Sequence, residues 1–107
     1  MLFRSNTLVI TLAEFGRTPE INASLGRDHF ATAWSATLSG AGIHRGSVYG
    51  KTDANGRSVV DGEVGPAELF ATIYQALGID HQKQYMVGTR PVPLTEIGTE
   101  PIREVLS

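Results

Sequence analysis

A run of aliphatic and β-branched residues from Thr7 to Ala13 most constrains what this chain can fold into. The run reads TLVITLA and has almost no polar alternation, which is typical of a strand covered on both faces within a mostly parallel sheet. Ligands of such sheets bind beyond the carboxyl ends of the strands. The sequence therefore predicts an α/β fold with a site just after Ala13.

The segment after this strand carries most of the candidate chemistry and is longer than structureless loops usually are. Its charged residues are Glu14, Arg17, Arg27, Asp28 and His29. Functional residues lie disproportionately on loops that a rigid scaffold positions. We therefore predict a long, structureless loop that holds the functional site.

The length of 107 residues predicts one domain, spanning residues 1–107, near the lower limit for a multistranded α/β sheet. The chain opens almost directly into the buried-type strand, and the residues before it contain neither a signal peptide nor a helical pattern. These features favour a partial, C-terminal segment of a domain. Its partner would be a preceding segment or a second copy of the chain. One face of the strand should then expose a contiguous apolar patch, so that Leu8, Val9, Ile10 and Leu12 are not all sealed by this chain.

Composition narrows the class of function. Hydrophobic residues make up 41% and charged residues 19%, and a net charge of −2 gives no footprint for nucleic acid. The apolar runs fall far below the roughly 20 residues that cross a bilayer. Because cysteine is absent, the sequence excludes a disulfide framework, a thiolate nucleophile and a cysteine zinc site. The absence of cysteine is compatible with both the cytosol and the periplasm, so it does not indicate the cellular compartment.

Local patterns predict the remaining elements. A second strand is expected over residues 33–39, and a β-hairpin over 46–61 around Asn55-Gly56, the strongest short turn signal in the chain. Pro66 opens a helix that Gly78 ends. Its predicted apolar stripe consists of Leu69, Phe70, Ile73, Ala76 and Leu77. Residues 79–93 are predicted to be irregular, with any strand confined to an edge by Pro91 and Pro93, and residues 101–106 to form a short helix.

Together these elements predict a partial three-layer α/β sandwich with a β-hairpin excursion. A carboxylate at the mouth of a buried strand, such as Glu14, suits a divalent metal ion or general-base chemistry. The alternative is that Glu14 pairs with Arg17 or Arg27 and pins the loop. For Asp28-His29, metal binding competes with a histidine whose ring nitrogens are satisfied by loop carbonyls.

The two arginines suit a phosphate or sulfate group, because a guanidinium offers a fork of donors to an oxyanion. They could equally be solvated or neutralise Glu14 and Asp28. His44 follows a glycine turn and His81 follows the helix, so both are predicted to be structural or exposed. The segment Asp53-Ala-Asn-Gly56 has the opening of a calcium loop without its later glutamate, so calcium is not expected there.

The chain also resembles a known family at these residues. The similar segments are Thr7 to Pro19 (TLVITLAEFGRTP), Gly26 to His29 (GRDH), Ser39 to Ile43, Gly46 to Gly50 and Leu69 to Ile79. In this order they resemble the C-terminal portion of the bacterial DUF1501 family, a domain of unknown function. That family is itself similar to the alkaline phosphatase and sulfatase superfamily, whose members hydrolyse phosphate or sulfate esters on a metal-bearing α/β sheet.

The resemblance implies a set of roles. The superfamily's strand ends in Asp-His-Gly, with Asp and His as metal ligands, and the aligned residues here are Glu14, Phe15 and Gly16. Glu14 preserves a ligand, Phe15 cannot bind metal, and His29 is similar in order to the later metal histidine. The superfamily's nucleophile precedes this region, so the resemblance implies that it lies in a part that this chain lacks.

The predicted function is the C-terminal part of a sulfatase-like or phosphatase-like metallohydrolase that is inactive alone. Glu14, Asp28 and His29 are the predicted ligands of a zinc, manganese or calcium ion, with Asp28 orienting His29 or sharing the metal. Arg17 is predicted to hold the ester oxyanion. The alternative is a non-catalytic structural or interaction module whose charged loop is an ion-pair network.

Overall fold

The computed structural model describes residues 6–107. In chain order the strands are β1 (Leu8–Thr11), β2 (Gly16–Arg17), β3 (His29–Phe30), β4 (Thr37–Gly40), β5 (Lys51–Thr52), β6 (Val59–Asp61), β7 (Gln84–Val87) and β8 (Arg90–Pro93). In the sequence, the helix α1 (Pro66–Ala76) follows β6 and precedes β7, and a 3₁₀ turn covers Arg103–Val105. No helix among these residues is long and apolar enough to span a membrane.

The predicted three-layer α/β sandwich is wrong. The strands of residues 6–107 form four separate two-stranded sheets, which pair β1 with β4, β2 with β3, β5 with β6, and β7 with β8. Three of these pairs are antiparallel hairpins or ribbons. A sandwich needs one wide sheet with helices packed on it, and neither is present in the part of the chain that the structure describes.

The strand that suggested a wide sheet is shorter and less covered than predicted. β1 alternates between half-buried residues, Leu8 and Ile10, and exposed ones, Val9 and Thr11. The expectation of burial on both faces is therefore wrong. The expectation that Leu8, Val9, Ile10 and Leu12 are not all sealed by this chain is confirmed, because Val9 is 57% exposed and Leu12, which follows β1, is 51% exposed.

The chain divides into two compact units. Within the described residues, the first consists of residues 6–9, Ser39–Val48 and Val64–Ser107. Its buried side chains are small or polar, among them Ala41, Ala71 and Thr72. Thr72 Oγ1 donates to the Glu68 carbonyl at 2.7 Å and accepts from the Ile102 amide at 2.8 Å. One hydroxyl therefore ties α1 to the segment that precedes the 3₁₀ turn.

Helix α1 begins and ends as predicted. Pro66 takes the first helical position after Gly65, whose amide donates to Glu68 Oε2 at 3.1 Å. Gly78, with a φ of +76°, follows the helix, and the amides of Gly78 and Ile79 donate to carbonyls of the last turn. The predicted apolar stripe is only partly buried: Ala71 and Thr72 are the buried residues of α1, whereas Phe70 and Leu77 are exposed.

Residues 79–93 contain a hairpin that the sequence reading missed. β7 pairs with β8 from Gln84 opposite Pro93 to Val87 opposite Arg90, around a turn at Gly88 with a φ of +63°. Both strands of a two-stranded sheet are edges, so Pro91 and Pro93 are tolerated where their missing N–H groups face outward. The prolines correctly indicated an edge strand, but the two-residue turn was overlooked.

The second unit consists of Ile10–Leu38 and Tyr49–Glu63. Its hairpin β5–β6 confirms the signal at Asn55-Gly56, although the strands are shorter than predicted. The predicted second strand over 33–39 is shifted, because β4 covers Thr37–Gly40. The predicted short helix over 101–106, in the first unit, is reduced to the 3₁₀ turn.

Candidate functional site

The segment that follows β1 is an ordered ribbon, so the prediction of a structureless loop is wrong. β2 and β3 are antiparallel, with Gly16 opposite Phe30 and Arg17 opposite His29. Residues directly opposite each other in an antiparallel pair project from the same face. The ribbon therefore has two faces, an inner face with Gly16 and Phe30 and an outer face with Arg17 and His29.

The inner face is closely packed. Gly16 is buried, and a Cβ atom at this position would lie 2.5 Å from Trp34 Cβ and 2.8 Å from the Ala33 carbonyl oxygen. Phe30 is half-buried, with the Arg57 guanidinium 4.9 Å from its ring centroid. Only glycine leaves room for this close approach of the backbone.

The outer face is exposed and carries an aromatic cluster. The rings of Phe15 and His29 lie 4.0 Å apart between centroids and are tilted by 32°. The Arg17 guanidinium lies 5.7 Å from the Phe15 centroid. We call Phe15, Arg17 and His29 the outer cluster. In this cluster a guanidinium and an imidazole both contact one phenyl ring.

Hydrogen bonds of the intervening turn hold the ribbon closed. The Thr18 amide donates to the Asp28 carbonyl at 3.0 Å, and the Asp28 amide donates to Thr18 Oγ1 at 3.1 Å. Asn22 Oδ1 accepts from the amides of Ser24 and Gly26, an arrangement typical of an Asx turn. Asn22 Nδ2 also donates to Asp28 Oδ1 at 3.0 Å. The Asp28 carboxylate is thus oriented by Asn22.

Both predicted site arginines bind carbonyl oxygens. Arg17 Nη1 donates to the Arg27 carbonyl at 3.1 Å, and Arg27 Nη1 donates to the carbonyls of Thr18 at 2.8 Å and Pro19 at 2.6 Å. The suggested ion pairs of Glu14 with these arginines are not found in the part of the chain that the structure describes. The arginines therefore brace the ribbon through the backbone.

An ion pair that the sequence reading missed connects the ribbon turn to the hairpin β5–β6. Arg57 Nη1 contacts Glu20 Oε2 at 2.6 Å, with both side chains exposed. At the base of the hairpin turn, Asp53 Oδ1 accepts from the Arg57 amide at 2.9 Å. Arg57 thus contacts both Glu20 in the ribbon turn and Phe30 on the inner face, and it braces both. Its position two residues after Asn55 offered no sequence signal for this role.

Two carboxyl groups in this region have lowered pKa values. The pKa of Glu20 lies below its ordinary value of 4.5, first because of the hydrogen bond from Arg57 and then because of its own backbone amide. The pKa of Asp53 lies below its ordinary value of 3.8, first because of the hydrogen bond from the Arg57 amide. In both cases the folded protein holds the ionised form more favourably than the unfolded chain does.

We expect the second unit to lose stability in acid. Because the unfolded chain binds protons at a higher pH than the folded one, the contribution of Glu20 and Asp53 is complete above pH 4.5 and is lost as the pH falls through their lowered pKa values. Arg57→Gln should raise the pKa of Glu20 and flatten the acid slope of stability. Lys51→Gln makes the same charge change in the same hairpin. Carbon-detected NMR of carboxyl groups measures the pKa, and an equal effect of both variants would contradict the pairing.

The predicted metal ligands remain a prediction. Among residues 6–107, no group of three or more His, Asp or Glu side chains lies close enough together to hold a metal ion. Glu14 is exposed, Asp28 is held by Asn22, and His29 stacks on Phe15. The alternative for His29 was that loop carbonyls accept hydrogen bonds from its ring nitrogens. No such hydrogen bond is found among the described residues.

The other two histidines lie in the first unit. His44 is exposed, and its backbone amide donates to the Val105 carbonyl at 2.8 Å. His81 is buried, with Nδ1 3.4 Å from Thr95 Oγ1, and this hydroxyl donates to the His81 carbonyl at 2.9 Å. Both match the prediction of an exposed or structural role, and the hydrogen-bond partner of the His81 ring is Thr95.

Comparison with family models assigns the chain to one family. Residues 4–106 match the model described as protein of unknown function (DUF1501). Because the match covers nearly the whole sequence, the chain belongs to this family, as its resemblance to the family predicted. A search of curated proteins and a search of solved structures find no match.

Proposed function

We propose that this chain is the C-terminal part of a hydrolase of phosphate or sulfate esters, to which it contributes an oxyanion-binding face. The observation that carries the proposal is the cross-strand pair of Arg17 and His29 on the outer face of the β2–β3 ribbon. The choice of phosphate and sulfate follows the resemblance of the sequence motifs to the alkaline phosphatase and sulfatase superfamily, and it is part of the proposal.

The two side chains have hydrogen-bonding capacity left for a ligand. A guanidinium has five N–H donors, and the described residues engage Arg17 at one nitrogen, Nη1. The imidazole of His29 can donate from a ring N–H. Opposed residues of an antiparallel pair have Cβ atoms about 4.5–5.5 Å apart. A tetrahedral oxyanion can therefore accept from both side chains at once.

The braced geometry favours binding of a compact anion. Arg17 is fixed by the Arg27 carbonyl, and the ribbon is closed by the Thr18 and Asp28 hydrogen bonds. Donors that are already oriented lose little conformational entropy when the ligand binds. In the proposed site Arg17 holds the ester oxyanion and His29 lies beside it.

Binding of inorganic phosphate tests this proposal. We expect a phosphate titration followed by NMR to shift amide signals of residues 14–30, and Arg17→Gln to weaken binding by about tenfold, in line with about 1.5 kcal/mol for a hydrogen bond to a charged group. Arg45→Gln, which removes an exposed arginine in the first unit, is the control. Amide signal shifts confined to residues outside 14–30 would contradict the proposal, and so would an equal loss of phosphate affinity in both variants.

Glu14, Asp28 and His29 are proposed as this chain's share of the metal ligands. Carboxylate and imidazole are suitable donors for zinc or manganese. Because residues 6–107 gather no group of three such side chains, these residues by themselves do not form a complete site.

Weak zinc binding is the corresponding prediction. Calorimetric titration of the chain with zinc should give a low affinity, and His29→Ala should reduce it further without unfolding the protein, because an exposed ligand contributes little to packing. His44→Ala removes an exposed histidine of the first unit as a control. If zinc affinity depended on His44 and not on His29, the ligand assignment would be wrong.

A further inference from the structure

We infer that Phe15 is a positioning residue, which holds Arg17 and His29 in one oxyanion-binding arrangement. This inference rests on the proposed function and adds a residue to it. Phe15 lies at the entrance to β2, and its ring is half-buried. Its ring contacts both side chains of the cross-strand pair.

Phe15 contacts His29 through its ring face. A centroid separation of 4.0 Å with a tilt of 32° is a close ring contact. No described hydrogen bond engages the ring nitrogens of His29, so the contact with the phenyl ring is the interaction that can orient it. Stacking restricts the imidazole while leaving both nitrogens available to a ligand, which a hydrogen bond to a loop carbonyl would not do.

Phe15 also contacts Arg17. The guanidinium carbon lies 5.7 Å from the phenyl centroid, within the range of a cation–π interaction. Nη1 is fixed at its other side by the Arg27 carbonyl. The guanidinium therefore contacts both a carbonyl oxygen and the phenyl ring. Because the contact with the ring uses no hydrogen bond, it leaves the remaining N–H donors of the guanidinium free for a ligand.

The ring itself offers no donor to an anion, so its effect on phosphate binding must act through its neighbours. Phe15→Leu keeps an apolar side chain of similar bulk and removes the ring face. We expect phosphate affinity to fall about two- to fivefold, the factor that corresponds to one exposed cation–π contact. Phe15→Tyr keeps the ring and should restore binding to within about twofold of the parent chain.

A spectroscopic signature separates positioning from general stability. The aromatic ring current of Phe15 shifts the ring protons of His29, and the chain has three histidines, so His44 and His81 serve as internal references. Phe15→Leu should move the ring proton signals of His29 alone, and Phe15→Tyr should leave them near their parent positions. Assignment of these signals uses His29→Ala.

The deciding experiment combines both readouts in the full chain, with inorganic phosphate as the probe. Displaced His29 signals together with weakened binding in Phe15→Leu, both restored in Phe15→Tyr, are the expected result. Unchanged His29 signals, or unchanged phosphate affinity in Phe15→Leu while the parent binds, would overturn the inference alone. Absence of phosphate binding in the parent chain would overturn the proposed function and the inference with it.

Discussion

Gly16→Ala is expected to destabilise the second unit by about 1–3 kcal/mol, the range for overpacking a close contact. The added methyl group would lie 2.5 Å from Trp34 Cβ and 2.8 Å from the Ala33 carbonyl oxygen. Both obstacles belong to or adjoin the backbone, so the neighbouring chain must shift as a whole. The single tryptophan lies beside the substitution, and its fluorescence during urea unfolding reports the loss of stability.

Gly26→Ala is the matched control for this prediction. The nearest atom to a Cβ at Gly26 is Asn22 Oδ1 at 3.9 Å, an ordinary contact distance. Reduced entropy of the unfolded chain should make this variant as stable as the parent or slightly more stable. If Gly16→Ala and Gly26→Ala had equal stability, the close packing of the inner face would be refuted.

Thr72→Val is expected to destabilise the first unit by about 1–3 kcal/mol. Thr72 is fully buried, and its hydroxyl accepts from the Ile102 amide. Valine has nearly the same shape but no acceptor, so the part-buried Ile102 N–H group would be left without its partner. The Glu68 carbonyl loses the hydroxyl donor as well. Thermal unfolding followed by circular dichroism measures the effect.

Hydrogen exchange at Ile102 separates the lost hydrogen bond from a change in packing. Thr72→Ser keeps the acceptor and removes one buried methyl group, which costs about 1 kcal/mol. The Ile102 amide should exchange faster in Thr72→Val relative to global stability and retain its protection in Thr72→Ser. Equal exchange of this amide in both variants would show that the hydroxyl does not hold it.

The helix and one hairpin could be predicted because local chemistry determines them. Pro66 and Gly78 bracket α1, and Asn55-Gly56 places the turn of β5–β6. The turn at Gly88 was missed because Pro91 and Pro93 suggested irregular structure. In an isolated pair of strands the prolines face outward, and that context is not visible in the local sequence.

The wide sheet was predicted wrongly because an apolar run does not reveal how many strands cover it. Leu8 and Ile10 are half-buried while Val9 is 57% exposed, so β1 behaves as a strand with one neighbour among the described residues. Two-sided apolar character is necessary for an interior strand but does not specify its partners. Strand pairing is non-local, and the sequence of one strand does not contain it.

At the candidate site the sequence indicated the segment but not its arrangement. Arg17 and His29 are twelve residues apart, and only the register of β2 with β3 places them opposite each other. Arg57 reaches the ribbon from the hairpin, and Asn22 orients Asp28 across the turn. The Asn22 to Gly26 stretch carries an Asx-turn signal that could have predicted order there.

A double-mutant cycle on phosphate affinity tests the central claim, that Arg17 and His29 bind one oxyanion. Phosphate dissociation constants are measured for the parent, Arg17→Gln, His29→Ala and the double variant, with Arg45→Gln and His29→Ala as the control pair. Side chains that share one ligand are coupled by at least about 0.5 kcal/mol, whereas independent sites are additive. We predict a double variant that binds at least about twofold more tightly than additive losses require, with the control pair additive. Additive losses for Arg17 and His29, or affinity that neither change alters, would contradict a shared oxyanion site.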